Sequence, residues 1–106
     1  MDRNGGGDTE GQKTEPLAPG STIRPDPSVL AKRVGDEVVL VHLETDRIFE
    51  LNRTAAFLWE TLAAGSTQAE LEERLAQEFD VDRDELAREI DELLGQFTSE
   101  RLIRAE

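Results

Sequence analysis

Residues 47–62, RIFELNRTAAFLWETL, decide the fold. Ile48, Phe49 and Leu51 belong to a short strand pattern that runs straight into Asn52, a strong helix N-cap. The apolar residues that follow fall at Ala55, Leu58, Trp59 and Leu62. The hydrophobic period therefore changes from about 2 to about 3.6 residues across one asparagine. With no loop between them, strand and helix are held at a fixed angle, and one flank of the strand lies beside whatever packs next to that helix. An open strand edge beside a helix is a receptor for an extended peptide. Nothing else in the chain looks like chemistry, so the function is sought at that edge.

Outward from this junction, the pattern predicts a small α+β domain. Val29–Val34 reads as a first strand, Gly35-Asp36 as a two-residue hairpin turn, and residues 37–43 as a valine-rich second strand. Arg47–Leu51 is then the third, with Phe49 and Leu51 on the core face and Ile48 and Glu50 on the other. Three strands in a meander leave two edges. A first helix is predicted over residues 53–64, stopped by Gly65. A second covers residues 68–79, with Thr67 and Glu70 as a capping box and Leu71, Leu75 and Phe79 as its inner stripe. The third begins after Asp82, boxed with Glu85, and buries Leu86, Ile90, Leu93 and Phe97; Gly95 loosens its last turns. Leu102 and Ile103 fold back onto the core. Three antiparallel strands followed by three helices make a winged-helix-like arrangement. Residues 1–27, rich in Gly, Pro and charge, read as a disordered arm, and residues 28–106 as the folded domain.

The chain has 106 residues, 24 acidic and 12 basic, for a net charge of −12. Such a surface repels nucleic acid phosphates and anionic lipid and favours basic or neutral peptides, or a modifying enzyme with a basic patch. There is no cysteine, which excludes disulfides, thiolate zinc sites and a cysteine nucleophile, and fits a cytoplasmic setting. No apolar run is long enough for a membrane span, and the N-terminus lacks a secretory h-region.

A winged-helix pattern invites a DNA-binding reading, but the segment from Thr67 onward carries thirteen acids against five arginines. Major-groove recognition needs cationic contacts. Asp80, Asp82 and Asp84 resemble the start of a calcium loop, yet Glu85 stands where glycine is needed and Asp91 where glutamate is needed; helix capping explains them better. His42, the only histidine, reads as a partly exposed strand residue, since one imidazole alone makes no site. No metal, cofactor or catalytic constellation emerges, and the chain is not read as an enzyme. Trp59 belongs to the core stripe. Phe57 projects opposite it, to cover the strand hairpin or to form a partner patch. On the third helix, the flank bearing Ala87, Asp91, Leu94 and Thr98 is less charged than the one bearing Glu89 and Gln96, and is expected to wall a peptide groove.

The chain resembles the PqqD-like proteins, also described as RiPP recognition elements. The resemblance lies in Val38-Val39-Leu40-Val41-His42-Leu43, Ile48-Phe49-Glu50-Leu51-Asn52, Ala55 to Trp59, Gly65-Ser66-Thr67, Leu71, Leu75, Phe79-Asp80-Val81, Leu93-Leu94, Phe97 and Leu102-Ile103. It covers roughly residues 28–104. It implies a non-catalytic domain that binds the leader segment of a ribosomally made precursor peptide. The leader adds as a strand beside the third strand, here Arg47, Ile48, Phe49, Glu50 and Leu51, and packs against the third helix. The implied partners are the precursor peptide and a maturation enzyme, either a leader peptidase, as in split lasso-peptide systems, or a radical-SAM enzyme. Ala87, Asp91 and Leu94 are the expected helix contacts, and a monomer or weak dimer is expected. The alternative is a small protein-interaction or dimerisation module acting as a regulatory subunit through the same edge or Phe57.

Overall fold

The computed structural model describes residues 20–106. The elements in order are β1 (Ile23–Pro25), β2 (Val29–Val34), β3 (Glu37–His42), β4 (Arg47–Leu51), α1 (Arg53–Leu62), α2 (Gln68–Glu78), α3 (Arg83–Ser99) and β5 (Ile103–Ala105). The antiparallel sheet β2-β3-β4 and the three helices match the expected α+β class.

Each helix starts where its cap dictates. The Asn52 carboxamide accepts the Ala55 N–H at 3.0 Å. Thr67 and Glu70 form the reciprocal box at α2. Asp82 alone accepts the Asp84 and Glu85 N–H groups at 2.8 and 3.2 Å, so at α3 only the Asp82 half of the expected box is made. Gly65, at φ 92°, carries the chain out of α1 into α2. An added Cβ there would meet the Arg24 guanidinium at 2.7 Å.

The folded part begins before residue 28, which corrects the expected arm boundary. Ile23–Pro25 pairs antiparallel with Ile103–Ala105, closing a second, two-stranded sheet, and Ile23 is 1% exposed. The cause is non-local. Ile23 also exchanges backbone hydrogen bonds with Ser66 at 2.7 and 3.1 Å, so three distant segments satisfy one another. The rest of the expected arm, residues 1–19, lies outside the described residues.

The core joins Val38, Leu40 and Leu51 of the sheet to Ala55, Leu58, Trp59 and Leu62 of α1, Leu71 and Leu75 of α2, and Leu86, Ile90, Leu94 and Phe97 of α3. Trp59 meets Phe97 edge to face at 5.6 Å. Phe57 neither covers the hairpin nor stands free. It is half-buried against Phe79 at the end of α2, ring centroids 5.5 Å apart.

His42 is a further correction: it is fully buried, not partly exposed. Its Nε2 donates to the Arg101 carbonyl at 3.0 Å, and its Nδ1 accepts the Glu44 N–H at 3.2 Å. Both ring nitrogens are thereby used in structure. They tie the end of β3 to the turn after α3, where Arg101 adopts φ 60°.

Candidate functional site

The site is assembled from β4 and α3. Hydrogen-bond parity decides what β4 offers. The Leu43 N–H donates to the Ser28 carbonyl at 2.8 Å, so odd-numbered residues of the second sheet strand face β2. Val38, Leu40 and His42 therefore face β4, where they oppose Leu51, Phe49 and Arg47. Those three are bonded inward. The N–H and C=O groups of Ile48 and Glu50 point away from β3, to the open edge. The side chains alternate accordingly: Ile48 is 68% exposed on the outer face and Leu51 is buried, as expected, with Phe49 half-buried between sheet and helix.

Between this edge and α3 lies an open groove of about 1050 Å3. Its strand side is the whole of β4, Arg47, Ile48, Phe49, Glu50 and Leu51, which are the strand residues the sequence points to. Its helix side is Glu92, Gly95, Gln96, Ser99 and Glu100, with Phe97 and Leu102 beneath. At one end Arg47 spans the gap, 3.3 Å from the Glu100 carboxylate and 5.4 Å over the Phe49 ring. The pair is exposed and adds little stability, but it marks where β4 and the end of α3 converge.

The expected helix contacts do not line this groove. Leu94 is 2% exposed and belongs to the core. Asp91 accepts a hydrogen bond from Gln68 of α2 at 3.2 Å, and Ala87 is half-buried away from β4. The Thr98 hydroxyl is turned back to the Leu94 carbonyl at 2.8 Å. The reason is rotation. Leu86, Ile90, Leu94 and Phe97 face inward, and Leu93 is only half-buried. This choice turns α3 so that the more polar flank, the one with Gln96, meets β4. Gly95 was the available signal: a mid-helix glycine costs about 1 kcal/mol relative to alanine, and here its missing side chain leaves open groove, with nothing within 4 Å of an added Cβ.

Among the described residues, no group of three or more His, Asp or Glu side chains is placed to hold a metal ion. No described helix is long and apolar enough to cross a membrane.

Residues 37–103 match the family of coenzyme PQQ synthesis protein D (PqqD). Two solved structures are similar in fold. One, TbiB1 in complex with the TbiA(beta) leader peptide, is 27% identical with a TM-score of 0.73, over 76% of this chain and 94% of that one. The other, a lasso peptide synthetase B1 complexed with the leader peptide, is 23% identical with a TM-score of 0.69, over 77% of this chain and 96% of that one. No curated protein matches the chain.

Proposed function

From the premise that this chain belongs to the PqqD family, as a RiPP recognition element, we propose that it binds the leader segment of a ribosomally made precursor peptide along β4 and delivers it to a maturation enzyme. The observation that carries this is the combination of an unpaired strand edge and a helical wall around one groove. The similarity to a TbiB1 structure solved with a leader peptide supports the same reading.

The mechanism follows from the backbone. An extended peptide laid beside β4 finds four unpaired groups, the N–H and C=O of Ile48 and Glu50, and continues the antiparallel ladder. Each net hydrogen bond contributes about 1 kcal/mol. Side chains that point inward rest on Phe49, Phe97 and Leu102; those that point outward extend the outer face. A leader disordered when free must offset its ordering cost, so an affinity between about 10 nM and about 10 μM is expected. The domain performs no chemistry in this reading. It raises the local concentration of precursor at the enzyme, a leader peptidase or a radical-SAM enzyme. Leu30, Val41 and Ile48 form a cross-strand row on the outer face, and Leu30 and Ile48 are well exposed; this row is the surface offered to that enzyme.

Titration of a fluorescein-labelled leader from the neighbouring precursor gene, read by anisotropy, tests the proposal. Saturable binding at micromolar concentration or below, with amide shifts concentrated at Ile48, Glu50, Gly95 and Gln96, supports it. Absence of binding at high protein concentration overturns it.

A further inference from the structure

The outer face of an antiparallel sheet is ordinarily polar, and here it is largely apolar. Cross-strand pairing puts Leu30, Val41 and Ile48 in one row of that face, and Lys32, Val39 and Glu50 in the next. Val34 ends β2 on the same face. Leu43, whose N–H donates to the Ser28 carbonyl, carries the alternation one residue past β3. Leu30, Val34, Leu43 and Ile48 are 57%, 56%, 57% and 68% exposed. Opposite charges close the second row: Lys32 stands on β2 and Glu50 on β4, with Val39 between them. Two strand spacings hold them about 10 Å apart. Among the described residues, neither is in an ion pair.

We infer that this face takes a second copy of the chain, sheet on sheet, about a two-fold axis running along β3. The charges choose that axis. Rotation about β3 lays β2 of one copy over β4 of the other, an isologous contact. Leu30 then meets Ile48, Val41 meets Val41, and Lys32 meets Glu50 at both ends of the row. The two-fold that crosses the strands at Val39 would instead stack Lys32 on Lys32 and Glu50 on Glu50. Aligned sheets pack about 10 Å apart, a gap that a lysine and a glutamate bridge together. Glu37 meets its own copy at the hairpin end, in water, and the net charge of −12 opposes association. The face measures roughly 14 by 20 Å, less than the ~800 Å2 that each partner of a standard complex buries. The dimer is therefore weak, with a Kd on the order of 100 μM. Stacking covers the face and leaves the in-plane edge groups of Ile48 and Glu50 free, so the inference does not depend on the peptide-binding reading. Its row of Leu30, Val41 and Ile48 is the one offered to the maturation enzyme, so enzyme and second copy exclude each other.

Sedimentation equilibrium of the full chain between about 10 μM and about 1 mM is expected to show the mean mass rising from one copy toward two. Lys32→Glu and Glu50→Lys each set like charges against each other at both ends of the shared row, and each is expected to weaken association about tenfold. Glu50→Lys also lowers the net negative charge, so a weakening there is not an effect of net charge. An equimolar mixture of the two variants is expected to associate within about twofold of the unaltered chain, because every end of the row then meets its opposite. The double variant Lys32→Glu with Glu50→Lys is expected to do the same, and a misfolded variant would not be rescued in this way. A mass of one copy at every concentration overturns the inference and leaves the face to another protein. A dimer that neither substitution weakens, or that mixing does not restore, uses a different surface and overturns it as well. Leader titration of the same samples reads the peptide-binding proposal separately: a monomer that binds leader overturns the dimer alone, and a dimer that binds none overturns peptide binding alone.

Discussion

The sheet has two edges, and they are not equivalent. On the β2 side, parity turns the backbone groups of Ala31 and Arg33 outward, while the Val29 N–H is taken by the Asp26 carbonyl at 3.0 Å. No described strand other than β3 pairs with β2. Lys32 and Arg33 are exposed there, and Arg33 is tied down by Glu60 of α1, Nε to Oε2 at 2.9 Å. Charged and exposed, this edge has features that discourage strand pairing. On the β4 side, the outward groups of Ile48 and Glu50 look into a groove walled by α3. The contrast teaches that an unpaired strand is necessary for strand addition but does not make a site. The helix beside it does, by burying one face of whatever is added.

The sharpest way to break the comparison is to fill the wall. Gly95→Phe projects a ring into space that an added Cβ finds empty. It is expected to reduce leader affinity by about a hundredfold, as occlusion of a pocket worth about 3 kcal/mol would. The midpoint of thermal unfolding should hold or rise, since glycine leaves the helix. Ala31→Phe, on the β2 edge, is expected to change affinity by less than about twofold. Equal losses from both would mean that the two edges bind alike.

His42→Ala tests what supports the walled side. It removes a buried ring and leaves the Arg101 carbonyl and Glu44 N–H without their partner. A loss of about 2–3 kcal/mol in urea unfolding is expected. Because this contact holds the end of α3 against β3, leader binding should weaken by more than an equally destabilising core change such as Leu75→Ala would cause. An unaltered affinity in the folded His42→Ala protein would release α3 from its role as the wall.

Glu50→Pro removes one outward N–H and no rung of the ladder to β3, so the protein is expected to fold and to bind its leader about tenfold more weakly. The matching change on the other edge, Ala31→Pro, is expected to leave binding unaltered. Arg47→Ala is the smallest case: an exposed ion pair with Glu100 costs less than about 1 kcal/mol in stability when lost.

Much of this arrangement was legible before the fold was known. The meander, the Asn52 junction and the five residues of β4 follow from alternation, caps and turn residues, which are local. The wall did not. Leu93 and Leu94 are adjacent, about 100° apart around the helix, and equally apolar. A stripe through either one is acceptable to an isolated helix. For that reason the expected flank of Ala87, Asp91 and Leu94 does not line the groove beside β4, whereas Glu92, Gly95, Gln96, Ser99 and Glu100 do.

The amino-acid sequence by itself thus determined the elements, their order and the open strand, because hydrophobic period and capping act over a few residues. Only the tertiary structure decided which side of α3 faces β4, that Ile23–Pro25 joins the fold, and that His42 is a buried tie. Each depends on partners far along the chain. The edge-to-face contact of Phe97 with Trp59, the pairing of Ile23 with Ala105 and the Arg101 carbonyl over His42 exist only once the layers meet. Local sequence sets what each segment can bury; close packing selects which of the nearly equal choices fills the space.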